Sequence, residues 1–216
     1  MKTNQCYSPK VVNGPKIVRT LHRCLLTCLV APALFCLSAS ANIVSYQAFL
    51  NGPSESPANA SPATGFAQVN YDDVVHSLQV EVSFSGLLGT TTASHIHAAT
   101  TTAGSGTAGV ATTSPYFAGF PIGVTSGSYS NTLDLTLSSS YNSSYISANG
   151  GTPATAEAAL MSAIASDKAY FNIHSTVFGG GEIRGFLVPV PEPSSLAMLG
   201  LGSAFVVGSL CRRKSV

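Results

Sequence analysis

A strict alternation of apolar and polar residues marks one segment in the middle of this chain. From Ser77 to Phe84 every second residue is apolar, and the residues between them are serine, glutamine, glutamate and serine. Successive side chains of an extended strand point to opposite faces, so the pattern predicts a strand with one face in a core and the other in water. This period excludes a helix and favours an antiparallel sheet with one solvated face.

Similar patterns predict further strands along the chain. Residues 65–84 are expected to form a hairpin around Asp72 and Asp73, and an opening strand with Tyr46, Ala48 and Leu50 on one face ends at an Asn-Gly-Pro turn. Later strands are expected at residues 128–137, 169–175 and 182–188, with a glycine-rich turn at 178–181 before the last. Several short strands predict an all-β fold, either an antiparallel β-sandwich or a Greek-key barrel of immunoglobulin-like or superoxide-dismutase-like type.

One segment has a helical period instead. Ala158, Leu160, Met161 and Ile164 recur at helical spacing, Pro153 stands near the start, and Thr152 or Thr155 is available as N-cap. The pattern predicts one short helix within residues 153–167. Residues 99–114 are rich in threonine, alanine, glycine and serine without any period, which predicts a long mobile loop.

The few charges of the chain are unevenly distributed. Charged residues make up 9% of the sequence, against about 25% in typical soluble domains. The net charge is +1, yet residues 42–189 carry eight acidic side chains and only two basic ones, Lys168 and Arg184. Because phosphate neutralisation needs clustered lysine and arginine, this distribution argues against a nucleic-acid partner.

All five cysteines lie near the ends of the chain. Cys6, Cys24, Cys28 and Cys36 precede residue 42, and Cys211 follows residue 189. The middle of the chain therefore offers no disulfide framework, no thiolate zinc site and no cysteine nucleophile. We expect residues 42–189 to be one domain that relies on its hydrophobic core alone.

The first 41 residues have the pattern of a secretory signal peptide. Five basic residues precede the apolar run 25–37, which is followed by the small residues Ala39 and Ala41 of a cleavage site. The alternative is a transmembrane helix, but the run is shorter than the ~20 residues that cross a bilayer, and Pro32 interrupts it. We therefore expect an N-terminal signal helix, cleavage by signal peptidase after Ala41, and export across the inner membrane.

The last 27 residues combine three features in order. These are the triplet Pro191, Glu192 and Pro193, the apolar stretch 196–210, and a basic cluster of Arg212, Arg213 and Lys214. The segment 190–216 resembles the PEP-CTERM sorting signal of Gram-negative bacteria that make exopolysaccharide. The resemblance implies a C-terminal hydrophobic transmembrane helix with its basic end in the cytoplasm, processing by an exosortase near the triplet, and delivery to the cell surface or extracellular matrix. The alternative is a plain C-terminal membrane anchor.

The middle of the chain also resembles a known family. Seven short motifs match the CHRD domain in order, at residues 46–52, 55–57, 65–67, 82–87, 95–97, 170–175 and 180–185. The resemblance covers about residues 43–188; Ala98 stands where a glycine is usual, and the loop after it is richer in threonine. It implies a β-sandwich or barrel without an established enzymatic activity.

Three histidines are candidate metal ligands. Residues i and i+2 of a strand share a face, so His95 and His97 point the same way, and His174 would supply a third imidazole. Such a set suits Cu or Zn. Cu,Zn superoxide dismutases are similar in placing a His-x-His pair on a strand of a Greek-key barrel. Glu182 and Arg184 share the parity of His174, and we expect them beside the site, where they would orient the ligating histidines.

The alternative for the same residues is structural. Buried histidines can act only as hydrogen-bonding groups, and Glu182 with Arg184 can form an ion pair. No Gly-x-Ser-x-Gly elbow is present, and Gly104–Thr107 lacks the lysine of a phosphate loop. Two classes therefore remain: a non-enzymatic surface or matrix protein whose partners are exopolysaccharide or surface proteins, and a small extracytoplasmic metalloprotein.

Overall fold

The computed structural model of the protein describes residues 43–191. The signal segment 1–41 lies outside the described residues. Most of the sorting segment, including its apolar stretch and basic cluster, also lies outside them. Eight strands span the described part: β1 (Ile43–Asn51), β2 (Thr64–Asp72), β3 (Ser77–Ser85), β4 (Thr91–Ala98), β5 (Gly127–Asp134), β6 (Ala169–Ser175), β7 (Ile183–Phe186) and β8 (Val188–Pro189). The helices there are α1 (Ser143–Ala148), α2 (Pro153–Ala165) and a 3₁₀ turn at Ser138–Ser140.

The strands form a single antiparallel sheet in the order β4-β6-β7-β1-β2-β3-β5, and β8 also pairs with β1. The prediction of an antiparallel all-β fold is confirmed. The hairpin of residues 65–84 is confirmed as well, with β2 and β3 in unbroken register from Thr64 opposite Ser85 to Asp72 opposite Ser77. As the alternation predicts, Leu78, Val80 and Val82 are buried.

The sheet curls around its core. Phe117, which is fully buried, stacks on Tyr129 of β5 with ring centroids 5.9 Å apart and on Phe171 of β6 at 5.8 Å. β5 and β6 lie near opposite ends of the strand order, so one aromatic ring between them joins the two ends of the sheet. The buried apolar side chains of the strands and helices form one cluster.

Helix α2 begins as predicted. Thr152 is the N-cap, its hydroxyl accepts from the backbone N–H of Thr155, and Pro153 stands in the first turn. Ala156, Leu160 and Ile164 are among the residues that α2 buries against the core. None of the helices in residues 43–191 is long and apolar enough to cross a membrane.

Some elements differ from their predicted bounds. Strand β5 ends at Asp134 rather than residue 137, and the predicted strand 182–188 divides into β7 and β8 at Leu187, whose N–H bonds Ala169 of β6. Helix α1 was not predicted, because six residues are too few to show a helical period.

The outer edge of β4 is covered by residues 109–125, which we call the edge segment. Ser94 donates its backbone N–H to Pro115, Ala98 donates to Gly109, and the N–H of Gly123 reaches the carbonyl of Thr91. The predicted loop 99–114 is irregular, but its last residues belong to this hydrogen-bonded segment. The edge segment then leads directly into β5.

Candidate functional site

Strands β4 and β6 bring three histidines together. Ile96 is fully buried in the core, so His95 and His97 on either side of it point to the opposite face of β4. In the antiparallel register His174 of β6 stands opposite Ala93, beside both. The ligating nitrogens of His95, His97 and His174 all lie within 4.8 Å of one another.

Backbone carbonyls fix the tautomer of each ring. Nδ1 of His95 lies 3.0 Å from the oxygen of Pro115, Nδ1 of His97 lies 2.8 Å from that of Ala108, and Nδ1 of His174 lies 2.9 Å from that of Gly179. A carbonyl oxygen only accepts, so every Nδ1 carries the proton. In the neutral rings each Nε2 therefore presents a lone pair.

The three Nε2 lone pairs lie close together, and none of these nitrogens carries a proton to donate. Nε2 of His95 and Nε2 of His174 lie 3.0 Å apart. Nε2 of His97 is buried and has no hydrogen-bond partner in the described part of the protein. Two acceptors that face each other and a third that is unpaired form a set that a bound cation would satisfy.

Burial keeps the three rings neutral. It lowers the pKa of His95 to about 3 and of His97 to about 4. The pKa of His174 is lowered too, with burial as the main cause. The neighbouring imidazoles add to the effect at His95, because a second positive charge nearby is unfavourable. Neutral imidazole is the form that coordinates a metal.

The ring of Tyr170 lies between the histidines and the guanidinium of Arg184. Tyr170 stacks on His97 with centroids 4.6 Å apart and ring planes 9° from parallel, and the guanidinium carbon of Arg184 lies 4.6 Å from the Tyr170 centroid. Arg184 stands opposite Asn172 of β6, so even positions pair with even ones as the expected shared face requires. Its guanidinium donates to the carbonyls of Ser54 and Gly106.

A buried carboxyl lies beside this arginine. Oε2 of Glu55 is 3.7 Å from Nε of Arg184, and burial raises the pKa of Glu55 to about 7 although the arginine opposes the shift. Oε1 of Glu55 and Oδ1 of Asn172 are both buried without a hydrogen-bond partner among the described residues. No sequence pattern indicates this contact, because Glu55 lies 129 positions from Arg184 in an irregular segment.

Glu182 is engaged away from the histidines. Its carboxylate accepts from the hydroxyl of Ser61 at 2.7 Å and from the backbone N–H of Leu88 at 2.6 Å and of Gly89 at 3.3 Å. Burial alone would raise its pKa, but these donors and Ser175 lower it. Glu182 thus ties the loop before β4 to the strand pair, and no hydrogen bond in the described residues joins it to a ring of the cluster.

A second polar group lies elsewhere and was not predicted. Glu157 of α2 is 6% exposed and accepts from the hydroxyl of Tyr71 at 2.7 Å and from Nδ1 of His76 at 2.9 Å. His76, in the turn between β2 and β3, has a positive φ of 53°. The pairing joins residues 81 positions apart, so no local pattern indicates it.

The fold and site define a class: an all-β domain with a buried cluster of three imidazoles on one face of its sheet. Residues 46–187 match the CHRD domain, and the chain belongs to the CHRD domain family. Residues 189–214 match the PEP-CTERM protein-sorting motif. Both matches confirm the resemblances found in the sequence.

The sorting motif indicates how the protein is exported and processed. It implies an exported protein that is processed by an exosortase and sorted to the extracellular side. No curated protein and no solved structure shows a significant match to the chain.

Proposed function

We propose that this exported protein binds a transition metal, Cu or Zn, through Nε2 of His95, His97 and His174. The observation that carries the proposal is the approach of two unprotonated nitrogens, His95 Nε2 and His174 Nε2, to 3.0 Å. Without an ion between them, two lone pairs repel each other at this distance. Two imidazoles bound tetrahedrally at ~2.0–2.1 Å to one Zn place their nitrogens about 3.3 Å apart, close to the separation found.

The surroundings of the rings support the same proposal. Each Nδ1 donates to a carbonyl, which orients the ring and makes the opposite nitrogen a better ligand. His174 is only half-buried, so the cluster has access to solvent on that side. Three protein ligands leave a fourth position for water or another small ligand, as in zinc and copper sites that exchange ligands. Residues 42–189 contain no cysteine, so imidazole nitrogens are the ligands on offer, and imidazole suits Zn and Cu.

The place of action follows from the sorting motif. The proposed location of the processed protein is the cell surface or the exopolysaccharide matrix, and its proposed action there is binding rather than catalysis. The matched motif and the acidic, charge-poor composition of residues 42–189 support this location. Surface proteins and exopolysaccharide are the proposed partners, and the metal is the proposed cofactor.

The test is metal analysis of the chain exported with its own leader and purified after processing, without a histidine tag. We expect about one Cu or Zn per chain in the unaltered protein, and strong loss of metal in His95→Ala and His174→Ala. His76→Ala is the matched control, because this histidine lies outside the cluster and should leave the metal content unchanged.

Two outcomes would overturn the proposal. The first is a metal-free protein that also fails to take up added Cu or Zn. The second is equal metal content in all variants. Each would leave the histidines with the structural role alone, in which each substitution lowers stability with no dependence on metal.

A further inference from the structure

The outer face of β1, β2 and β3 carries uncharged polar groups in a regular array. Gln68 stands opposite Glu81, and Asn70 stands opposite Gln79. The neighbouring positions Ala67, Val69 and Val80 are fully buried, so these polar side chains all point away from the core. We call Phe49, Phe66, Gln68, Asn70, Gln79 and Glu81 the outer face.

A chain of hydrogen bonds holds the polar side chains of the outer face in place. Gln68 donates to Asn70 at 3.1 Å, and Asn70 donates to Gln79 at 3.2 Å. Gln79 in turn donates to the carboxylate of Glu81 at 3.1 Å. Each amide group uses only part of its capacity in these bonds, since an amide has two N–H donors and two lone pairs. The remaining donors and acceptors are therefore fixed in position before any ligand arrives, which lowers the entropic cost of binding.

Two aromatic rings continue the outer face at one end. Phe49 of β1 stands opposite Phe66 of β2, with ring centroids 5.3 Å apart and ring planes at 57°. Phe49 is 70% exposed, although phenylalanine is among the residues most often buried. A groove of about 420 Å³ lies at these rings, and Ser83 and Ser85 are also among the residues that line it.

Charge decides which partner fits the outer face. Glu81 is its single acidic side chain, and residues 42–189 carry eight acidic side chains against two basic ones. An acidic polymer would be repelled, and a protein hot spot would require a desolvated apolar centre rather than a row of hydrogen-bonded amides. Aromatic faces are electron-rich and attract the C–H groups of a sugar ring, while the hydrogen-bonded amides match its hydroxyl groups.

We propose that the outer face binds a neutral polysaccharide, with a sugar ring on Phe49 and the amide array on the hydroxyls of the following sugars. Three strands, β1 to β3, give this surface a width of about 10 Å, enough for a chain of sugars to lie across it. This inference uses the proposed matrix location only to say where the protein would meet such a glycan. It is independent of the histidine cluster.

The test is affinity electrophoresis of the exported, processed chain in gels that contain a soluble neutral β-glucan or, in parallel, acidic alginate. We expect retardation by β-glucan and none by alginate. Phe49→Ala and Phe49→Leu should each weaken β-glucan binding about tenfold or more, because both remove the aromatic face. The matched control Leu137→Ala, at a residue 51% exposed beyond β5, should bind like the unaltered chain.

Phe49→Leu distinguishes stacking from simple apolar docking, because leucine keeps an apolar surface without a ring. Full binding by Phe49→Leu would overturn the proposal, and so would equal retardation by alginate or no retardation by β-glucan. Sedimentation of the same samples tests whether a second copy of this chain occupies the outer face instead. A dimer that Phe49→Ala dissociates would also overturn the proposal. A correctly localised, metal-loaded protein that binds no β-glucan refutes this face alone and leaves the proposed function intact.

Discussion

Nε2 of His95 and Nε2 of His174 lie 3.0 Å apart, and the Nδ1–H of each ring donates a hydrogen bond to a backbone carbonyl. A metal that binds between them binds the folded chain and not the unfolded one, so it must stabilise the fold. The size of this effect is set by the metal concentration relative to the dissociation constant. It gives a test that does not depend on the metal found after purification.

Addition of Zn or Cu at about a hundred times the dissociation constant should stabilise the chain by about 2.7 kcal/mol. For a domain of this size the thermal midpoint should rise by about 5–10 °C. Differential scanning calorimetry with and without metal measures the shift. His174→Ala should lose most of it and the control His76→Ala should keep it, whereas an equal rise in both variants would place the binding elsewhere.

In the metal-free chain, the three histidines should cause a loss of stability as the pH falls from about 6.5 toward 4. Unfolded histidines take up protons in this range, but burial lowers the pKa of His95 to about 3 and of His97 to about 4, so the folded rings do not. The unfolded state then binds more protons, and stability falls with pH. Glu55, with a pKa raised to about 7, has the opposite sign.

Urea unfolding with EDTA across this pH range measures the effect. His174→Gln should have a flatter profile than the unaltered chain, and the contribution of Glu55 cancels in the comparison. His174 is half-buried, so the variant should fold. Parallel profiles for the two proteins would contradict the prediction.

Replacement of Glu182 by glutamine should destabilise the domain by about 3 kcal/mol. The new amide group would face N–H or O–H donors that now bond to a carboxylate oxygen, among them those of Ser61 and Leu88. Asp73→Asn, at an exposed turn position, is the matched control and should change the free energy of unfolding by less than about 0.5 kcal/mol. Urea unfolding of both variants provides the comparison, and similar values for the two would refute the assigned role of Glu182.

The contact between His76 and Glu157 should stabilise the fold at acid and neutral pH but not at alkaline pH. A hydrogen bond and the charge of Glu157 raise the pKa of His76. A raised folded-state pKa gives stability that is complete below the unfolded value of ~6.5 and disappears as the pH rises through the folded value.

The thermal midpoint of His76→Gln should therefore fall further below that of the unaltered chain at about pH 5.5 than at about pH 9. In a Glu157→Gln background, the same substitution should show no difference between the two pH values. A pH-independent effect in the original background would mean that His76 acts through its turn conformation instead.

Secondary-structure elements could be predicted where a short run of residues contains the whole pattern of apolar and polar side chains. The β2–β3 hairpin was predicted because Leu78, Val80 and Val82 alternate with polar residues, which are less buried. Strand β4 shows no such alternation, because all of its residues from Ser94 onward are buried. Its bounds could not be read from the sequence for that reason.

The candidate site divides in the same way. Strand parity alone predicted that His95 and His97 share a face. His174 was proposed as the third imidazole, but no local pattern indicates that its strand pairs with β4. The partners of Glu182 could not be predicted, because parity gives the direction of a side chain but not which loop meets it. Glu157 and His76 meet through the packing of α2, which depends on the whole core.

The edge segment gives the protein a further property, which concerns association between molecules. An uncovered strand edge pairs readily with another chain and begins aggregation, and β4 is an outer strand of the sheet. Its backbone groups are occupied by the edge segment, and the carbonyl of Pro115 in that segment also holds the ring of His95. The residue that positions an imidazole therefore also covers part of the edge of β4, and loss of this contact would open that part to pairing with another chain.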